Sequence, residues 1–426
     1  MKKILVVCPT QREHADLPPV AEALNYKIVF EDVGGDYFDH PLLETCPGDA
    51  QPLDILSLIE DLVARYRDAG LSGVTSAVGY PGMSVASIVA ERLGLPGPSI
   101  ECVLLCEHKY YSRIAQRVFA PAAVPSFQLL NPRDDQTTRA PAKFPLFVKP
   151  VKANFSINAN RVSNESELFE TLRTCRLPQR FIRPFNDLLR AYTDYEHDAS
   201  YLLAESLLEG MQVSLEGYVF RGKARVLGIV DALMYPGTIS FERFVYPSRL
   251  SEETQHRMAR IAESLMVGIG YDNALFNIEL IYNPRDESIF IIEVNPKIAS
   301  QFTDLFEKVD GTSSYSPLLR IAAGDEPVFA RGKGEFKLAA SCVLRTFEDR
   351  RVLKIPSSQR INELRKMFPD ARIEICAAPG RLLSERMQDG KSYRYALINI
   401  GAASEADLNA KLEACRSLLD FQFAPL

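Results

Sequence analysis

The sequence predicts an α/β protein in three parts, and three observations carry that prediction. Strand and helix signals alternate over the first hundred residues, two apolar runs flank a short turn between residues 276 and 296, and mixed strands follow from Lys337 onward. Strands that alternate with helices point to a parallel sheet. The 426 residues also give about three units at roughly 150 residues per domain. An apolar fraction of 46% and a charged fraction of 24% exclude disorder over most of the chain, because there is ample apolar surface to bury.

Residues 3–7 form a short apolar strand, too short and without the cleavage site that a signal peptide would need. Residues 17–24 are helix-like, residues 26–30 give a second strand, and residues 53–66 carry apolar groups at helical spacing. Residues 73–78 read as a third strand and residues 84–93 as a helix stopped by Gly94. The first strand runs into Cys8-Pro9-Thr10-Gln11, so the glycines that a dinucleotide-binding turn requires are missing. Residues 131–138 are polar and read as a surface loop; residues 144–150 form an apolar strand that presents Lys149. Residues 201–208 are a further apolar run, and residues 405–419 a late helix.

Composition narrows the function. With 49 Lys and Arg against 55 Asp and Glu, the net charge of −6 lacks the basic footprint of a dedicated nucleic-acid binder. No apolar run approaches the ~20 residues that span a bilayer. The eight cysteines are scattered without a CxxC pair and the five histidines show no ligand spacing. Free thiols in a reducing cytoplasm fit better than structural zinc.

The chemistry concentrates in the hairpin of residues 276–296. A turn centred on Asp286, with a loop of about six residues and no bulge, sets Glu279 opposite Glu293 and Asn277 opposite Asn295. Opposed side chains lie about 4.5–5.5 Å apart, where like charges repel. Two carboxylates facing each other among Ile, Phe and Leu need a shared proton or a bridging cation, and such oxygen donors suit Mg²⁺ carrying phosphates. Pro296-Lys297 follows at once and places a cation beside that spot.

These residues resemble the ATP-grasp superfamily, and within it the carboxylate–amine ligases such as L-amino-acid ligases and dipeptide synthetases. The family's metal-site motif stands here as Glu279, then Glu293-Val294-Asn295-Pro296-Lys297. Residues 94–99 look like its Gly-Leu-Pro stretch, residues 104–109 like the segment ending in the phosphate lysine, and residues 123–127 like its next strand entry. The strand ending in Lys149 and the hinge-like run 205–214 complete the order, over roughly residues 70 to 420.

The resemblance implies an ATP-grasp fold with an N-terminal Rossmann-like, parallel-sheet domain (1–107), an ATP-grasp domain (108–328, lobes 108–204 and 205–328) and a C-terminal α+β cap (329–426). It implies ATP and Mg²⁺ or Mn²⁺ as cofactors, with Glu279, Glu293 and Asn295 on the metal and Lys109, Lys149, Ser156, Asn158, Glu205, Ser206, Leu208 and Gln212 on the nucleotide. Glu205 would accept from the adenine amino group and Gln212 would take the ribose; Lys149 and Lys297 would be catalytic. Ser300, Gln301 and Gly82 are the expected substrate contacts. Small-molecule carboxylate and amine substrates are expected, with no nucleic acid and no membrane, and a homodimer is compatible with this reading. Three departures stand out: a glycine-free loop at 152–160, His108 where an acid is usual, and Lys297 for arginine, which removes a bidentate clamp. The activity expected is amide formation through an acyl phosphate. Carboxylation, ligation to a thiol, or nucleotide binding without catalysis are the alternatives.

Overall fold

The computed structural model describes residues 1–33, 53–133, 143–154, 157–385 and 392–425. The chain opens on a parallel sheet in which β1 (Lys2–Val7) lies between β2 (Tyr26–Glu31) and β3 (Gly73–Thr75). The connections hold α1 (Gln11–Ala23), α2 (Ile55–Tyr66) and α3 (Gly82–Arg92). The first helix begins well before the expected residue 17. Thr10 and Glu13 form a capping box that satisfies its leading N–H groups. The third strand ends at Thr75, shorter than expected.

Two helices follow, α4 (Ile100–Glu107) and α5 (Lys109–Phe119), broken at His108. Next comes an antiparallel sheet of β4 (Phe127–Leu130), β5 (Leu146–Pro150), β6 (Asn160–Val162) and β7 (Leu202–Ser206), in the order β4-β7-β5-β6. Leu168 and Leu172 of α6 (Glu165–Thr174) pack on this sheet. The neighbouring α7 (Gln179–Tyr192) packs against α2 and α4. Most of the polar loop expected at 131–138 lies outside the described residues.

The remaining strands build one eight-stranded antiparallel sheet. In chain order these are β8 (Met211–Phe220), β9 (Lys223–Met234), β10 (Phe241–Tyr246), β11 (Ala274–Asn283), β12 (Ser288–Asn295) and β13 (Leu338–Thr346). After the short β14 (Arg351–Lys354) come β15 (Arg372–Ile375) and β16 (Tyr393–Ala402); β14 pairs instead with β17 (Gln422–Ala424). The sheet order is β12-β11-β8-β9-β10-β13-β16-β15. The C-terminal strands therefore extend the sheet that carries the hairpin. Its helices are α8 (Glu252–Gly268), α9 (Thr303–Asp310), α10 (Tyr315–Ala322), α11 (Ser358–Met367) and α12 (Glu405–Leu418). Tyr315, Leu319 and Ala322 of α10 share a core with Ile4, Leu17 and Ala21, which ties the hairpin's downstream segment to the first sheet.

No helix among the described residues is long and apolar enough to cross a membrane. Cys8, Cys102, Cys106, Cys175, Cys342 and Cys415 are free thiols.

Candidate functional site

The hairpin has the expected pairing, reached by a different route. Glu279 lies opposite Glu293 and Asn277 opposite Asn295, but Asn283 pairs with Ser288, so the turn is the four residues 284–287. A tighter turn alone would slip the register by one. A bulge between Glu279 and Leu280 restores it by leaving Ile292 unpaired, which corrects the bulge-free hairpin expected from sequence. The bulge also frees the Ile292 carbonyl, which accepts from Arg113 Nη2 at 2.8 Å and Lys149 Nζ at 3.3 Å.

Register then aligns polar groups on one face of three strands. Glu279 faces Ser214 on β8, and Asn277 faces Glu216. Gln212 Nε2 donates to Glu279 Oε2 at 3.0 Å. Asn277 Nδ2 donates to Ser214 Oγ at 2.7 Å and Glu216 Oε1 at 2.6 Å, while Asn295 Nδ2 donates to Asn277 Oδ1 at 3.3 Å. Burial, then the charge of Glu293, pushes Glu279 up to about 7. Burial would raise Glu293 too, but Lys109 and Lys149 outweigh it and hold that carboxyl below its ordinary value. A shared proton or a bridging cation would relieve the facing pair. Two carboxylates and one amide are too few for a closed protein cage, and among the described residues no three His, Cys, Asp or Glu groups converge. That donor set fits Mg²⁺, which keeps waters and phosphate oxygens in its shell.

Cations meet this face from the helices and the small sheet. Lys109 Nζ sits 2.7 Å from Glu293 Oε1 and 3.0 Å from the Ala153 carbonyl. Lys149 Nζ lies 2.7 Å from Glu205 Oε2, and Arg113 Nε lies 2.5 Å from Glu205 Oε1. Burial opposes ionisation of Glu205, yet Arg113 and Lys149 bring it down to about 2. Lys152 pairs with Glu107 Oε2 at 3.0 Å and lies 5.0 Å from the ring centres of Tyr80 and Phe185. Burial lowers Lys149 and Lys152 from the usual lysine value. Lys297 has no hydrogen-bond or ion-pair partner among the described residues; its stem runs beside Gly79, next to Glu107. The structure thus brings Lys109, Lys149, Gln212, Glu279, Glu293, Asn295 and Glu205 into one charged cluster.

Other expected contacts lie elsewhere. Both oxygens of Glu205 are engaged by cations, so its first partners are Arg113 and Lys149. Gln212 meets the carboxylate Glu279. The Ser206 N–H is taken by the Ser126 carbonyl at 2.9 Å, and Leu208 follows the end of β7. Asn158 donates to the Arg176 carbonyl at 2.9 Å, and Ser156 lies outside the described residues. The Ser300 hydroxyl serves Glu13, and the Ser300 carbonyl accepts from Thr303 and Arg12. Gln301 Nε2 donates to Ser341 Oγ at 2.8 Å. Gly82 starts α3, where a Cβ would stand 2.3 Å from Ser76 Oγ, so close packing accounts for it. His108 is buried and pushed down to about 4 by that burial, so it is neutral.

Arg113, Lys152, Glu107, Asn277 and Glu216 complete the cluster and were not singled out as site residues by the sequence. Glu216 is fully buried, with Oε1 accepting from the Ala299 N–H at 3.0 Å and Oε2 without a partner. A signal for it existed in Gln212-Val213-Ser214-Leu215-Glu216, where polar residues recur with strand period amid apolar ones. Lys109, Ser112, Arg113 and Gln116 likewise form a polar stripe at helical spacing, all of it buried.

Comparison with known proteins agrees with this geometry. A family model for the ATP-grasp domain matches residues 142–304. Among solved structures, L-amino acid ligase from Bacillus licheniformis superposes with a TM-score of 0.74 at 18% identity, covering 100% of this chain and 99% of that one. Phosphoribosylglycinamide synthetase from Anaerococcus prevotii gives a TM-score of 0.67 at 15% identity, covering 99% and 100%. The biotin carboxylase domain of 2-oxoglutarate carboxylase from Hydrogenobacter thermophilus, solved with MgADP and bicarbonate, gives 0.66 at 15%, covering 99% and 91%. No curated protein sequence matches the chain.

Proposed function

We propose that this chain, whose residues 142–304 match a family model for the ATP-grasp domain, is an ATP-dependent carboxylate–amine ligase. The observation that carries the reading is the facing pair Glu279 and Glu293, set by strand register beneath Lys109 and Lys149. Amino acids are the proposed substrates, in a reducing cytoplasm where ATP is abundant.

The substrate carboxylate attacks the γ-phosphorus of ATP in line, giving an acyl phosphate and ADP. The amine then attacks the acyl carbon, phosphate leaves, and the amine loses a proton to give the amide. Positioning and charge neutralisation supply most of the catalysis in such transfers. Lys149 and Lys109 turn from their carboxylates to the phosphate oxygens, and Lys297, without a partner among the described residues, steadies the transferring group as a point charge. Glu279, Glu293 and Asn295 would hold Mg²⁺, which supplies neutralisation of phosphate charge. Backbone of Leu207 and Leu208, just past the end of β7, offers an edge to the base.

The test is ADP and phosphate release from Mg-ATP with pooled amino acids and mass detection of products. Release that needs two substrates, with an amide product, is the expected result. ATP binding without turnover, or turnover that needs only bicarbonate and one acceptor, would reject amide formation.

A further inference from the structure

Each buried lysine facing the site is paired with a carboxylate, and those pairs differ in what remains when the lysine leaves. Lys152 is the only cation within ion-pair distance of Glu107 among the described residues. Lys109 is likewise the only one on Glu293, which also faces Glu279. Release of Lys152 strands the buried Glu107 carboxylate, which is strongly unfavourable, and release of Lys109 leaves the partly exposed Glu293 with only the like charge of Glu279 opposite. Glu205 is different, because it carries two cations, Lys149 on Oε2 and Arg113 on Oε1.

Arg113 is the fixed member of that triad. It is 2% exposed and donates through all three guanidinium nitrogens, to Glu205, to Gln116 and to the bulged Ile292 carbonyl. Gln116 is itself braced by Ser112 on the same helix. Among the described residues Lys149 has, besides Glu205, the longer 3.3 Å contact to the Ile292 carbonyl and the Phe147 ring 5.9 Å away.

We infer that Arg113 is a positioning residue for nucleotide binding: it keeps Glu205 neutralised, so that Lys149 is released to a phosphate without leaving a buried carboxylate unpaired. Without Arg113, Glu205 holds Lys149 as its sole partner, and phosphate must compete for it. The β12 bulge belongs to the same device, since its freed carbonyl anchors the guanidinium that spans α5, β7 and β12.

The inference rests on the proposed nucleotide site, and the test separates the two. Equilibrium binding of Mg-ATP to the purified full chain is measured for wild type, Arg113→Met, Glu205→Gln and the double variant. Arg113→Met is expected to weaken binding about tenfold or more, and the double variant to return to within about threefold of Glu205→Gln. Loss of general packing would not be repaired by that second substitution. Should Arg113→Met fail to fold, the comparison of the double variant with Glu205→Gln alone decides, since a neutral replacement of the whole buried pair is tolerated far better than half of it. Unchanged affinity in Arg113→Met, or a tenfold loss that persists in the Glu205→Gln background, overturns the inference. A wild-type chain that binds no ATP overturns the nucleotide site and the inference with it.

Discussion

The polar face of the hairpin and the loop that leaves it are neighbours in sequence, yet they are built by opposite means. On the face, charges come in pairs across strands and helices, with Lys297 and one oxygen of Glu216 left unmatched among the described residues. In the loop, Ser300 and Gln301 are already satisfied by remote parts of the chain, Glu13 near one end and Ser341 in the C-terminal strands. Ion pairs Arg12–Glu374 and Arg372–Asp16 close the same junction between α1 and β15. The proposed phosphate chemistry therefore rests on strand register, whereas the expected acceptor side depends on where α1 and the C-terminal strands meet.

The largest break in that contrast should come from the face. Glu293→Gln removes the carboxylate that Lys109 and Glu279 both address, and turnover measured as ADP release should fall on the order of 10³-fold. Activity within about threefold of wild type would remove Glu293 from the metal site. The fold should survive, because the substitution also relieves the repulsion with Glu279.

Glu216 gives the next effect, and it is one of stability. Burial raises its carboxyl from 4.5 to about 7, so the folded chain keeps a proton that the unfolded chain has lost. Its contribution to stability is fullest below pH 4.5 and declines as pH rises toward 7. Above that it stays flat. Glu216→Gln should match wild type near pH 4.5 and exceed it at pH 8 by on the order of 3 kcal/mol. Denaturant midpoints at the two pH values measure this, and a difference independent of pH would contradict it.

The same contrast explains what the sequence disclosed. Alternation of apolar and polar residues specifies which side chains share a strand face, so the Glu279–Glu293 pairing was legible even though turn length and bulge were both misread. The two deviations cancel because a slipped register would bury the wrong face. Arg113 was visible only as part of a polar stripe, and helical spacing does not tell a solvated stripe from one buried against other polar groups. Ser300 and Gln301 are harder to read for a related reason. A polar loop beside a metal motif reads as substrate contact, and local sequence does not show that Glu13 and Ser341, from distant parts of the chain, also meet it.

The weakest effect belongs to the junction, and it sharpens the comparison by being weak. Arg372 is 40% exposed at its side chain, while Asp16 is 11% exposed, so water screens the pair and its net worth is about 1 kcal/mol or less. Arg372→Ala should therefore lower stability by no more than that, with a larger loss at low salt than at high salt. Its position is another matter. Asp16 lies on α1 one turn from Glu13, which the Ser300 hydroxyl serves, so loosening the junction should raise KM for one of the small-molecule substrates several-fold and leave KM for ATP unchanged. Steady-state kinetics with each substrate varied in turn reads the split. A parallel rise in KM for ATP would mean that the junction and the polar face act as one unit, and that remote contacts matter as much as register on both sides of the site.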